Sequence, residues 1–86
     1  SQSRVFLAEE NLWVTTEVGE INKFTYDEKT KEVTLAFNST VNNVEINNII
    51  LSLNAESGYQ VEGVTKNSNG RYLIPKDKKT VTLKKK

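Results

Sequence analysis

The chain has 86 residues, 36% of them hydrophobic, a formal net charge of +1, and no histidine, cysteine or methionine. Without His there is no imidazole to act as a general base near neutral pH, and without Cys no thiolate nucleophile or soft metal ligand. A charge this close to zero gives no electrostatic case for nucleic acid, and no apolar run approaches the ~20 residues that span a bilayer.

The apolar spacing is two throughout, the period of a half-buried strand. Arg4 to Ala8 is the first such segment, with Val5 and Leu7 on one face and Phe6 on the other. Glu9-Glu10-Asn11 reads as a turn, and Leu12 to Val18 resumes as a strand rich in Val and Thr. Gly19 breaks the chain before Ile21. Phe24 and Tyr26 alternate with Lys23 and Thr25, the polar stretch Asp27 to Lys31 follows, and Val33, Leu35 and Phe37 alternate with Thr34 and Ala36. This predicts a hairpin from Phe24 to Phe37, its turn opened by an Asp whose carboxylate accepts backbone N–H bonds. Val33, Leu35 and Phe37 belong on the buried face, Thr34 on the other.

Val44 and Ile46 share one parity; Ile49, Leu51 and Leu53 share the opposite one. Because a one-residue slip turns every side chain to the other face, Asn47-Asn48 is expected to be a bulge, a bend or a strand junction with left-handed backbone. Glu56-Ser57-Gly58 is a turn before Tyr59 and Val61. A parity switch after Gly63 predicts a bulge. The Asn69-Gly70 pair predicts a type I′ turn placing Val64 opposite Tyr72. Pro75 ends that strand, because it lacks a ladder donor, and Thr80 to Leu83 forms the last one. Together these define an all-β fold: a two-sheet antiparallel Ig-like β-sandwich of seven or eight short strands in a single domain, residues 1–86.

Charge is unevenly spread. Residues 1–43 carry seven acids and four bases, net −3, and residues 44–86 carry four acids and eight bases, net +4. The lysines from Lys76 to Lys86 supply most of the excess and are expected to lie on a solvated edge strand with a basic tail, which blocks edge-to-edge aggregation; contact with an acidic partner or an anionic polymer is the alternative. The chain starts at Ser1 without a visible signal peptide, which is expected of a processed product or of one domain of a longer protein.

The remaining residues give little for catalysis. Glu9 with Glu10 and Asp27 with Glu28 are adjacent carboxylate pairs in turns, expected to stay solvated and to keep ordinary pKa values. Cleavage of a glycoside needs two carboxyls ~5–10 Å apart across a cleft. Asn67, Ser68 and Asn69 offer only neutral oxygens to a cation, and the glycines are too scattered for a phosphate loop. No catalytic residue, metal site or cofactor is therefore expected. Asn38-Ser39-Thr40 is a glycosylation sequon at a strand end, with Asn38 as the acceptor. The aromatics Trp13, Tyr26, Tyr59 and Tyr72 have two readings, cross-strand packing or a platform for sugar rings. Exposure of Trp13 discriminates between them, and the ligand-binding set under the second reading is Trp13, Tyr26 and Tyr59.

Two segments resemble known families. Glu32-Val33-Thr34-Leu35-Ala36-Phe37-Asn38-Ser39-Thr40-Val41 is similar to the V-T-L-x-F-x-x-x-V run of bacterial Ig-like modules, which recur in cell-surface proteins and beside the catalytic domains of secreted glycosidases. Phe24-Thr25-Tyr26-Asp27-Glu28-Lys29-Thr30-Lys31 resembles the F-x-Y-D-x-x-T-K hairpin in the distal β domain of family 31 glycosidases. The resemblance implies an accessory role: spacing, stabilising or docking a partner domain. The expectation is thus a non-catalytic module of a larger extracytoplasmic or cell-surface protein. It would contact neighbouring domains or protein partners, with polysaccharide as an alternative ligand and neither nucleic acid nor a membrane span. A subunit of a virion, pilus or surface-layer assembly is a further alternative.

Overall fold

The computed structural model describes residues 3–38 and 40–86. Its strands are β1 (Ser3–Leu7), β2 (Leu12–Val18), β3 (Glu20–Tyr26), β4 (Val33–Asn38), β5 (Thr40–Val41), β6 (Val44–Glu45), β7 (Asn48–Leu53), β8 (Tyr59–Val61), β9 (Tyr72–Pro75) and β10 (Thr80–Lys85). Eight of them form two four-stranded antiparallel sheets, ordered β1-β2-β7-β9 and β3-β4-β10-β8, and β5 and β6 form a separate small hairpin. The only helical pieces among the described residues are the 3-10 turns Ala8–Glu10 and Ala55–Ser57. The two-sheet antiparallel sandwich expected from the alternation is the observed fold.

The core is the set of inward positions of the two sheets. Leu12 and Val14 of β2, Ile49 and Leu51 of β7 and Ile74 of β9 come from the first sheet, and all are fully buried. Val33 and Leu35 of β4 and Leu83 of β10 answer them from the second, also fully buried, with Phe37, Val61 and Val81 nearly so. Thr34 faces solvent between Val33 and Leu35, as the period of two requires. β4 is held by two partners: Leu35 pairs with Phe24 on one side and with Val81 on the other.

Several turns differ from the sequence reading, each for a local reason. Gly70 does hold a positive φ of 78°, but Asn69 does not, so the turn is not type I′. The Asn67 side-chain oxygen accepts the backbone N–H of Asn69 and of Arg71, and the Gly70 N–H donates to the Asn67 carbonyl. That bonding makes a three-residue loop ending in a left-handed glycine, and it shifts the register so that Lys66, not Val64, faces Tyr72. The type I′ geometry occurs instead at Asn42-Asn43 (φ 53° and 65°), between paired Val41 and Val44. Asn47-Asn48 is the strand junction without left-handed backbone, and the Asn47 carbonyl accepts from the Lys76 N–H. Gly63 (φ 76°) lies in a turn beyond the end of β8 rather than in a bulge. β10 is not an edge strand: it lies between β4 and β8.

The chain passes from the first sheet to the second at Gly19. There the buried Thr16 hydroxyl donates to the Gly19 carbonyl (2.9 Å) and accepts from the Ser3 N–H (2.8 Å), and the Ser3 hydroxyl accepts from the Ile21 N–H (3.1 Å). Gly19 has φ 97°, and a Cβ there would lie 3.0 Å from Ile49 Cγ1 and 3.2 Å from Ile46 Cδ1. Nothing lies within 4 Å of the equivalent Cβ at Gly70. Gly70→Ala is therefore expected to lose only the left-handed backbone cost, about 1–2 kcal/mol. Gly19→Ala adds overpacking against Ile49 and loses about 2–4 kcal/mol. Guanidinium unfolding of both variants measures the difference, and equal losses would remove the packing part of the account.

Candidate functional site

Alternation decides where each aromatic goes. Leu12 and Val14 point into the core, so Trp13 between them points out of the first sheet and is 43% exposed. Its cross-strand partner is Phe6, 46% exposed, and the two rings stack with centroids 4.3 Å apart and planes inclined by 24°. Tyr59 and Tyr72 point inward and are 6% and 5% exposed. Tyr26 is half-buried and packs against the core. The set Trp13, Tyr26 and Tyr59 is therefore not one platform: Trp13 stands on an outer face, whereas Tyr59 is a core residue and Tyr26 lies against the core. The ring beside Trp13 is Phe6, which the sequence reading left out, although its parity already placed it opposite Val5 and Leu7.

The outer face of the first sheet can be read across the strands. Phe6 pairs with Trp13 in one row; in the next, Arg4 pairs with Thr15 and Thr15 with Ser52. One step beyond the Leu51–Tyr72 pair, Arg71 extends that row. A third row holds Ile50 opposite Leu73, which is itself exposed. Glu17 pairs with the Arg71 guanidinium. Arg4 makes no ion pair, and the Thr15 and Ser52 hydroxyls no hydrogen bond, among the described residues. Beside the aromatic row, Asn54 is spent on the backbone, accepting from the Trp13 N–H (2.8 Å) and donating to the Asn11 carbonyl (2.8 Å).

A second cluster closes one end of the sandwich. Glu10 sits in the 3-10 turn after β1 with its side chain only 5% exposed. One carboxylate oxygen accepts from the Tyr26 hydroxyl (2.5 Å), the other from the Lys85 ammonium (2.7 Å), and Lys31 stands 3.6 Å away. The Tyr59 hydroxyl donates to the Lys31 carbonyl (2.6 Å). The Lys85 and Tyr26 bonds hold the Glu10 carboxyl down at about 2. Donation to that carboxylate raises the Tyr26 phenol, and burial first, with the Glu10 charge second, raises Tyr59. Glu10 is thus neither solvated nor ordinary, contrary to the expectation for an exposed turn carboxylate. Its partners come from β3, the β3–β4 turn and β10, far away in sequence, so nothing local announces its burial.

Several other carboxylates have partners too. An open groove along the β3–β4 hairpin is lined by Asp27, Glu28 and Glu32. Asp27 caps the turn, accepting from the N–H groups of Lys29 and Thr30, and Glu32 pairs with Lys84, which also binds Glu62 at 2.6 Å and is raised chiefly by that bond. No group of three or more metal-ligating side chains converges among the described residues. Asn38 is exposed at the end of β4, with its side-chain nitrogen 3.5 Å from Glu20; Ser39 of the sequon lies outside the described residues.

A small antiparallel β-sandwich with one outward aromatic pair is the class that this geometry defines. The chain belongs to a family of unknown function, DUF5695, whose match covers residues 1–84. No curated protein and no solved structure matches it.

The Glu10 cluster makes stability pH-dependent in a defined window. Its folded value of about 2 lies below the ordinary 4.5, so the stabilisation is fully present above pH 4.5 and is lost as pH falls from there toward 2. Thermal melts of Glu10→Gln are expected to fall below wild type near neutral pH, with the gap closing as pH is lowered through this window. A gap that persists unchanged to pH 2 would show that the carboxylate charge is not its source.

Proposed function

We propose that this domain is a non-catalytic accessory β-sandwich module of a larger extracytoplasmic or cell-surface protein, acting through the outer face of the β1-β2-β7-β9 sheet. The observation that carries the reading is the exposed Phe6–Trp13 stack. Large aromatics sheltered from the core yet held in one geometry are typical of surfaces that contact something else. The chemistry of the chain supports the same reading. It has no His and no Cys, and its most perturbed carboxylate is locked between Tyr26 and Lys85 rather than facing a cleft.

The contact reading makes Trp13 a surface residue with a small structural share. Trp13→Ala is expected to cost about 1 kcal/mol, the worth of an exposed stacked pair, against about 2–5 kcal/mol for Leu35→Ala in the core. The emission of this single tryptophan is expected to be red-shifted and open to acrylamide quenching in the free chain, and a panel of chromogenic glycosides and esters to remain uncleaved. A blue emission closed to quencher would overturn the contact face, and turnover of any substrate would overturn the non-catalytic reading.

A further inference from the structure

Resting on the accessory-module reading, we propose that the outer face of the first sheet binds a carboxylate-bearing polysaccharide, stacked on Trp13 and held by the Arg4–Thr15–Ser52 row. The sugar chemistry follows from the two rows side by side. A pyranose has an apolar face of C–H groups and a rim of hydroxyls, so it needs a flat aromatic beside hydrogen-bonding groups with capacity to spare. Trp13 supplies the first. One row along, about 7 Å away by the strand rise, Arg4, Thr15 and Ser52 supply the second, with no side-chain partner of their own among the described residues. The distance suits a chain whose first ring lies on Trp13 and whose next meets the polar row.

The charge follows from the arginines. Along the two rows and at Glu17, the face carries Arg4 and Arg71 against one acid, and that acid is already paired with Arg71. Arg4 is left as an exposed guanidinium, a planar fork that fits a carboxylate with two parallel hydrogen bonds. The opposite outer face offers no such excess: Lys23 and Lys84 there stand against Glu20, Glu32 and Glu62, and Lys84 is bound by the last two. A protein hot spot is the rival occupant of an exposed Trp, but it is built around a desolvated apolar centre, and here a polar row separates Phe6–Trp13 from Ile50–Leu73.

The test is affinity electrophoresis of the 86-residue chain through gels containing polygalacturonate or alginate, with neutral xylan and mannan as comparison. Retardation by a polyuronate, weakened by salt and accompanied by a blue shift of Trp13 emission, is the expected result. Trp13→Ala is expected to weaken binding about tenfold, the worth of one stacked ring. Arg4→Gln removes the preference for the charged polymers, and Thr15→Val weakens binding without unfolding the chain. Lys78→Gln with Lys79→Gln leaves binding unchanged, which separates the face from unspecific capture by the lysine-rich end. Loss of binding in the lysine variant alone, or retention by neutral polymers only, overturns the proposal. No retardation with a quenchable Trp13 overturns it as well while sparing the accessory reading; a buried Trp13 fails both.

Discussion

The mating of two inner faces is the constraint on which everything else in this molecule rests. Each sheet has one apolar surface, and neither is stable until it is covered by the other. Once Leu12, Val14, Ile49, Leu51 and Ile74 are committed to face Val33, Leu35, Val81 and Leu83, the side chains between them have no freedom left. Trp13 must look outward because Leu12 and Val14 look inward, and Tyr59 must look inward with Val61. The proposed contact surface is therefore a by-product of core registration. A slip of one residue in β2 would bury Trp13 and expose three core positions, so the outward aromatic is as firmly specified as the core itself.

The second device is electrostatic and closes the end of the sandwich. A nearly buried carboxylate is costly unless its oxygens are satisfied, and both oxygens of Glu10 are, by Tyr26 and Lys85. These bonds tie the turn after the first strand to the edge strand β3 and to the end of β10. The basic excess of the C-terminal half is in this light partly structural. Lys85 serves Glu10, Lys84 serves Glu32 and Glu62, and Lys76 reaches Glu45 at 3.0 Å. Four acids of the chain thus absorb charge that composition alone assigns to a solvated tail.

How much of this was legible in the sequence depends on how local the cause is. The Phe24–Phe37 hairpin was readable because alternation, turn chemistry and strand length act within a dozen residues and agree. The same holds for the break at Gly19, the turn at Gly58 and the positive φ of Gly70. The sequence reading failed where a competing local bond decided the matter: Asn67 captures two backbone N–H groups and turns a two-residue loop into a three-residue one. It failed again where partners are distant. Nothing near Glu10 announces Tyr26 or Lys85, and nothing near Thr80 announces that β10 enters the middle of its sheet. The Phe6–Trp13 pair stands between these cases: parity makes both outward, but only the β1–β2 register brings them together.

The two outer faces of the sandwich are chemically unlike, and that asymmetry orients the proposed function. On the second sheet, Thr25, Thr34 and Thr82 align across three strands, and Lys84 is neutralised by two glutamates. Such a surface is content with water: short hydroxyls, acids that balance its lysines, and no large ring among the described residues. On the first sheet a tryptophan and a phenylalanine stand in solvent against each other, beside a guanidinium with no carboxylate of its own among the described residues. The stack limits the apolar area lost to water but does not remove it, and the exposed guanidinium stays hydrated beside it. The proposed contact assigns both groups to one partner that brings an apolar surface and a negative charge together, and among the described residues no strand lies beyond β1 to block its approach.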